Sequence, residues 1–256
     1  MLPTPATFRD RDTLAWALAL LVVDAAAWGL AVSLSPLSSA LSLLVGYNAL
    51  SLLGTVGLYL DAARGGAPGH VLKGLRYPWL QPVFLPFRVV SWCVWRAARV
   101  VRRGDGPSEV LPGLWVGPRP LPHEIRALAS RGVSAVIDLA PELPRLRAMC
   151  PPAWSRLEVP VLDRTTPSEH ALESAMTVIR RWREGGVGVY VHCAFGRGRS
   201  GVMACAAVVG LGAAKDADEA LALVRARRPL VRLRPEQLAA VSRFAARENP
   251  GALPRG

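Results

Sequence analysis

With 256 residues, 51% of them hydrophobic, and a net charge of +12, the chain is too apolar for a plain soluble enzyme of this basicity. The combination implies a membrane part and a basic domain sharing one chain. Only Lys73 and Lys215 are lysines, so the charge is almost wholly arginine, compatible with anionic lipid, nucleic acid or phosphorylated substrates. Cys93, Cys150, Cys193 and Cys205 have no C-x-x-C spacing and the histidines are far apart, which excludes a readable zinc site and implies a reducing compartment. Cys193 is the candidate nucleophile, and the other three are small core or lipid-facing residues.

Residues 1–12 are a polar lead in which Arg9, Asp10, Arg11 and Asp12 cancel. Leu14 to Leu34 is apolar except for Asp24 and Ser33, long enough to cross a bilayer as a helix. Ser35-Pro36 breaks it, and a second span follows from Leu37 to Leu60. A secretory signal is not expected, since the lead has no net positive charge and the apolar run is too long. The turn is uncharged whereas Arg64, His70, Lys73 and Arg76 follow the second span, so both termini are expected in the cytoplasm. Asp24 and Asn48 each stand twelve residues from Pro36. A mid-span carboxylate costs roughly 2.5–3.5 kcal/mol. Asp24 is therefore expected either to hydrogen-bond Asn48 at the same depth or to meet water or another subunit.

Residues 65–107 read as a connector. Within it, 79–103 projects Phe87, Val90, Val94, Ala97 and Val101 on one helical face and Arg88, Arg96, Arg99 and Arg103 on another, an interfacial amphipathic helix or a plain juxtamembrane one. Trp92 falls near the basic face. Gly104 to Ser108 is a linker.

From residue 108 to 249, strands alternate with helices. Leu111 to Gly117, Val133 to Leu139 and Leu157 to Leu162 are expected strands, the last at an edge because of Pro160. Pro122 to Arg131 has helical spacing. Thr166-Pro-Ser-Glu169 opens a helix to Glu184, with Pro167 at its first position. Val187 to Val191 is a strand that hands a loop to the apolar helix 201–211, and two more helical patterns follow. The expected class is α/β, a sandwich of about 145 residues around a mostly parallel central sheet flanked by helices, preceded by two transmembrane helices. Residues 250–256 are a tail.

The loop carries the chemistry. A strand ends at His192, and then come Cys193, Ala194, Phe195, Gly196, Arg197, Gly198, Arg199 and Ser200 before the helix. At such a turn, backbone amides and a helix N-terminus converge on an anion, and the same donors favour a thiolate. Glycines permit the curvature. Arg199, six positions after the cysteine, can hold two phosphate oxygens, and Ser200 can hydrogen-bond the sulfur. His192 is expected to brace the loop rather than act as a base.

His192-Cys-Ala-Phe-Gly-Arg-Gly-Arg-Ser200 resembles the signature loop of the dual-specificity class of cysteine-dependent protein tyrosine phosphatases. The resemblance runs from Glu109 to Arg247. Leu111-Pro-Gly-Leu-Trp-Val-Gly117 is similar to the family's opening strand. Val159-Pro-Val-Leu-Asp163, thirty residues before the cysteine, is similar to its acid-bearing segment, and Ala220 to Gln237, with Arg228-Pro229 and Gln237, to its closing helices. The resemblance implies a two-step displacement through phosphocysteine without metal or cofactor. Cys193 is then the nucleophile, Asp163 the acid and then the base, and residues 194–199 the phosphate binders. Asp138 and Glu142 are rival acids, and a turn carboxylate beside Arg164 is the plainer reading of Asp163.

Arg197 adds charge beside the pocket, suited to a substrate with more than one phosphate charge. With the hairpin it favours an anionic phospholipid, and the loop is similar to the Gly-Arg-rich loop of phosphatidylglycerophosphate phosphatases, from which Phe195 departs. The other substrate class is a phosphorylated protein, on Tyr, Ser or Thr. A catalytically inactive phosphate-binding membrane adaptor is the alternative from another class. Arg225, Arg227, Arg228, Arg232, Arg234, Arg243 and Arg247 are expected on a solvated face or on headgroups. Nucleic acid is not expected as a partner.

Overall fold

The computed structural model describes residues 11–75, 77–102, 104–146 and 150–249. The start of the polar lead, Arg76, Arg103 and the tail 250–256 lie outside them. The chain divides into two compact units, one reaching to Arg96 and including Pro141–Pro144, the other holding Ala97–Ala140 and the residues from Arg145 on.

In the first unit α1 (Arg11–Leu34) and α2 (Ser39–Ala63) form an antiparallel hairpin. Ser38 caps α2, its hydroxyl accepting from Leu41 N at 3.3 Å. Both helices are long and apolar enough to cross a membrane. Large side chains such as Val22, Val32 and Leu43 point outward, while the residues of α1 buried between the helices are Thr13, Ala17, Asp24 and Ala31. Ser42 Oγ donates to Ala31 O at 2.8 Å, and Gly46 lies beside Trp28, which levels Asp24 with Ala49 and Leu50. Asn48 is one residue away and therefore turned outward. It is exposed, and its amide donates to Leu44 O at 2.7 Å within its own helix. Of the two readings of Asp24, the bond to Asn48 is absent among the described residues for that reason: equal distance from the turn does not put two residues on facing sides of their helices.

A short helix α3 (Gly69–Leu72) and a 3₁₀ turn (Pro78–Leu80) lead to α4 (Leu85–Val101). Phe84 packs where a side chain at Gly54 would stand, and Phe87 N donates to Ser51 Oγ at 3.4 Å. Val90, Val94 and Val101 are exposed along α4. Of its arginines Arg96 is exposed, whereas Arg88 donates to Gln81 Oε1 at 3.0 Å and the Arg99 side chain, 7% exposed, pairs with Glu124.

The second unit is built on a five-stranded sheet in the order β1-β2-β5-β3-β4. The strands are β1 (Ser108–Leu111), β2 (Leu114–Pro118), β3 (Val133–Asp138), β4 (Ser155–Glu158) and β5 (Gly188–Cys193). All neighbours are parallel except β1 and β2. The segment read as one strand from Leu111 is a hairpin, because Pro112-Gly113 turns the chain with Gly113 at φ 72°. The edge strand β4 stops at Glu158, ahead of Pro160, and Val159 N makes one further bond, to Asp138 O, at 2.9 Å.

Strand alternation sorts the core. Leu114, Val116, Val189, Val191 and Cys193 face one layer with α6 (Glu169–Glu184), α7 (Arg199–Gly210), α8 (Ala217–Arg227) and α9 (Pro235–Glu248). Trp115, Val136 and Tyr190 face α5 (Pro122–Ala129) on the other. α7 is buried from Arg199 to Val209, which explains a sequence apolar on every side. α6 is capped by Ser168, whose hydroxyl accepts from Ala171 N at 3.2 Å. Pro167 thus precedes the cap instead of opening the helix.

Candidate active site

β5 is the central strand, so its C-terminal end delivers Cys193 to the middle of the sheet's edge, beside the N-terminus of α7. The loop between them closes on the sulfur. Gly196 N donates to Cys193 Sγ at 3.2 Å, and Ser200 Oγ lies 3.3 Å from it. Gly196 has φ 67°, and a Cβ there would lie 2.3 Å from the Gly117 carbonyl carbon, so conformation and space both require glycine. Ala194 is buried, whereas Phe195, Arg197 and Gly198 are half-buried around the mouth.

Arg199 is 1% exposed, and its Nη1 donates to Leu139 O at 3.2 Å and Val161 O at 2.8 Å. Those carbonyls follow β3 and β4, so the guanidinium spans two strand ends and is held beside the loop. Its Nη2 meets Asp163 Oδ1 at 2.9 Å, while the Asp163 side chain remains 45% exposed. The structure therefore brings together Cys193, Arg199, Ser200 and Asp163. The residue after Asp163, Arg164, sits at φ 63°, a left-handed conformation that costs a non-glycine residue about 1–3 kcal/mol. Thr165 Oγ1 donates to Leu162 O at 2.8 Å and closes this turn.

His192 is fully buried, stacked on Tyr190 with ring centroids 5.9 Å apart, and its Nε2 is 3.8 Å from Asp138 Oδ1. Asp138 Oδ1 also accepts from Ala140 N at 2.9 Å. Both are interior supports of the β3 and β5 ends, not groups facing the loop's mouth. Glu142 is buried as well. Tyr190 donates its hydroxyl to Pro118 O at 2.5 Å, and burial holds it well above the ordinary phenol value.

Arg197 makes no hydrogen bond or ion pair among the described residues. Burial, then the nearby charge of Arg102, lowers its ordinarily very high pKa. The other cysteines have no place here: Cys205 is in the core with its thiol pushed up to about 12 by burial, Cys150 is buried and Cys93 exposed. Among the described residues no three His, Cys, Asp or Glu side chains are arranged to hold a metal ion.

Two supporting residues were not legible as such. Arg228, expected on a solvated face, is 3% exposed and donates to the Gly196 carbonyl at 2.7 Å. It lies just beyond the end of α8, where the helical pattern no longer says which way a side chain points. The sequence signal was the resemblance of Arg228-Pro229 and Gln237 to the family's closing helices, which names the residues without saying which way they point. Gln237 is buried, donates to Thr165 O at 3.0 Å and lines the space over Gly198, so it ties the turn that follows Asp163 to the loop. Arg225, Arg227, Arg232, Arg243 and Arg247 are exposed as expected.

A family model described as a polymorphic toxin system DSP-PTPase phosphatase matches residues 114–213. Among solved structures, the chain is similar to Tk-PTP in its active form at 25% identity and TM-score 0.51, covering 56% of this chain and 99% of that one. It is similar to PTPMT1 in complex with PI(5)P at 23% identity and TM-score 0.50, covering 56% and 97%. It is also similar to a mouse putative dual specificity phosphatase complexed with zinc tungstate at 20% identity and TM-score 0.50, covering 60% and 96%. No curated protein matches.

Proposed function

We propose that the chain, whose residues 114–213 match a DSP-PTPase phosphatase family, is a membrane-anchored phosphatase of the dual-specificity type acting through a phosphocysteine on a phosphomonoester of an anionic lipid. The observation that carries the chemistry is the convergence of the Gly196 amide and the Ser200 hydroxyl on Cys193 Sγ, with Arg199 held against Asp163. The Cys193 thiolate attacks phosphorus while the loop amides and Arg199 hold the non-bridging oxygens. The S–P bond forms as the ester P–O bond breaks, and Asp163 gives its proton to the leaving oxygen. Asp163 then takes a proton from water, whose oxygen attacks phosphorus. The P–S bond breaks, phosphate leaves, and the Ser200 hydroxyl stabilises the departing thiolate by hydrogen bonding.

The lipid reading is supported by Arg197, whose guanidinium is left without a partner beside the loop, and by the two helices with outward apolar side chains. It is also supported by a fold neighbour, PTPMT1, whose structure is of a complex with PI(5)P. With an uncharged turn at 35–38 and Arg64, His70 and Lys73 after α2, the domain faces the cytoplasm. The exposed valines of α4 then lie along the interface.

The test is phosphate release by the full chain from vesicles carrying a phosphomonoester lipid and from phosphopeptides. The expected result is release from vesicles, abolished in Cys193→Ser. A Cys193→Ser chain that still releases phosphate would remove the mechanism. Preference for phosphopeptides over vesicles would leave a tethered protein phosphatase instead.

A further inference from the structure

The loop's outer wall is made by a segment that precedes the sheet. After the last turn of α4 the chain makes a tight turn, with Asp105 N donating to Arg102 O at 3.2 Å and Gly106 N to Gly104 O at 2.9 Å. Pro107 then crosses so close to β2 that a Cβ at Gly117 would stand 3.1 Å from its Cα. Arg228 binds this segment and the loop at once. Its Nη2 meets Asp105 Oδ1 at 2.6 Å, and its Nη1 donates to Gly106 O at 2.8 Å and Ser108 Oγ at 3.4 Å. Its Nε holds the Gly196 carbonyl at 2.7 Å. Asp105 is itself held from α4, since Arg99 Nη1 donates to its backbone carbonyl.

The grip on Gly196 has a stereochemical consequence. In a trans peptide the carbonyl and the following N–H point in opposite directions. With the Gly196 carbonyl drawn outward to Arg228, the Arg197 N–H is turned inward, where the loop closes on Cys193. Arg228 is 3% exposed, so its charge is tolerable only while a carboxylate faces it, and the Asp105 side chain, 11% exposed, is the one it pairs with.

We infer that Asp105 is a positioning residue for the phosphatase reaction: through Arg228 it aims the Arg197 amide at the substrate phosphate and ties the catalytic loop to the end of α4. This rests on residues 193–199 being the phosphate-binding loop. Asp105 touches no reacting atom, and its action is to keep Arg228 between two backbone carbonyls. Asp105→Asn keeps the shape and removes the charge.

The experiment compares full-length wild type, Asp105→Asn, Asp105→Glu and Cys193→Ser on p-nitrophenyl phosphate, with orthovanadate as the oxyanion probe. In Asp105→Asn, kcat/KM is expected to fall by about 10- to 100-fold, the scale of a misplaced catalytic group. The vanadate inhibition constant should rise in step, with part of both recovered in Asp105→Glu. A chain merely damaged in folding would lose active molecules, lowering kcat while KM and the vanadate constant stay put, and that result overturns the inference. Unchanged kcat/KM and vanadate affinity in Asp105→Asn, beside an inactive Cys193→Ser, also overturns it and leaves the phosphatase reading standing. Activity retained in Cys193→Ser overturns both.

Discussion

Two groups of arginines in the catalytic unit do opposite things with the same side chain. Around the loop, Arg199 and Arg228 are 1% and 3% exposed, and their donors are spent largely on backbone carbonyls: Leu139 and Val161 for the first, Gly196 and Gly106 for the second. Across α6 and α9, Arg243 and Arg247 stand more than half exposed and meet Glu169 and Glu173, with water free to compete. Arginine suits both settings because its charge is fixed and its donors are forked. What differs is the penalty for losing a partner. A buried guanidinium without its acceptors keeps the cost of desolvation and gains nothing, whereas an exposed one is rehydrated.

The sharpest way to break this contrast is Arg228→Ala. It leaves Asp105 as a nearly buried unpaired carboxylate and strips two carbonyls of their donor. Unfolding stability should fall by about 3–5 kcal/mol, the cost of breaking a buried pair, as read from urea midpoints. Next comes Arg199→Lys, which keeps the charge but cannot serve two carbonyls and two phosphate oxygens together. Its kcat should fall by about 10²–10³-fold, the range for one lost transition-state donor. Asp163→Ala sharpens the contrast from the other side, since it removes Arg199's exposed partner and leaves the buried carbonyl contacts in place. The expected loss is about 10²-fold or more in kcat on alkyl phosphates, whose leaving group needs a proton. Activated aryl phosphates should change little.

The same contrast explains what could be read from the residues alone. The loop was legible because its chemistry is local: Cys193, two glycines, Arg199 and Ser200 all fall between positions 193 and 200 at a strand-to-helix turn, and backbone geometry does the rest. The two long apolar helices and the alternation of strands with helices were legible from period and length. The direction of Arg228 was not, because a residue just past a helix end has no periodicity to report it, and only the fold brings Asp105 to it from far away in the chain. Asp24 and Asn48 failed for a related reason. Counting from the turn gives depth along the hairpin but not rotation about each helix, and Asn48 is turned outward. The hairpin in place of one strand at Leu111–Gly117 came from reading β-forming residues across Pro112-Gly113, where the φ of 72° at Gly113 reverses the chain.

The smallest effect belongs to Glu169→Gln. Hydrogen bonds from Arg243 and then Arg247 hold the Glu169 carboxylate below its ordinary value. A carboxylate lowered by folding stabilises the native state above its unfolded pKa, and that contribution is lost as pH falls through the folded one. Wild type and Glu169→Gln should therefore differ most near neutral pH and converge in acid, and salt should narrow the gap at neutral pH. Since water reaches all three side chains, the neutral-pH difference in melting temperature should barely exceed the scatter of replicate melts. A loss here as large as that of Arg228→Ala would mean that the surface cluster holds α6 to α9 as firmly as the buried pair holds the loop, and burial would no longer separate the two groups of arginines.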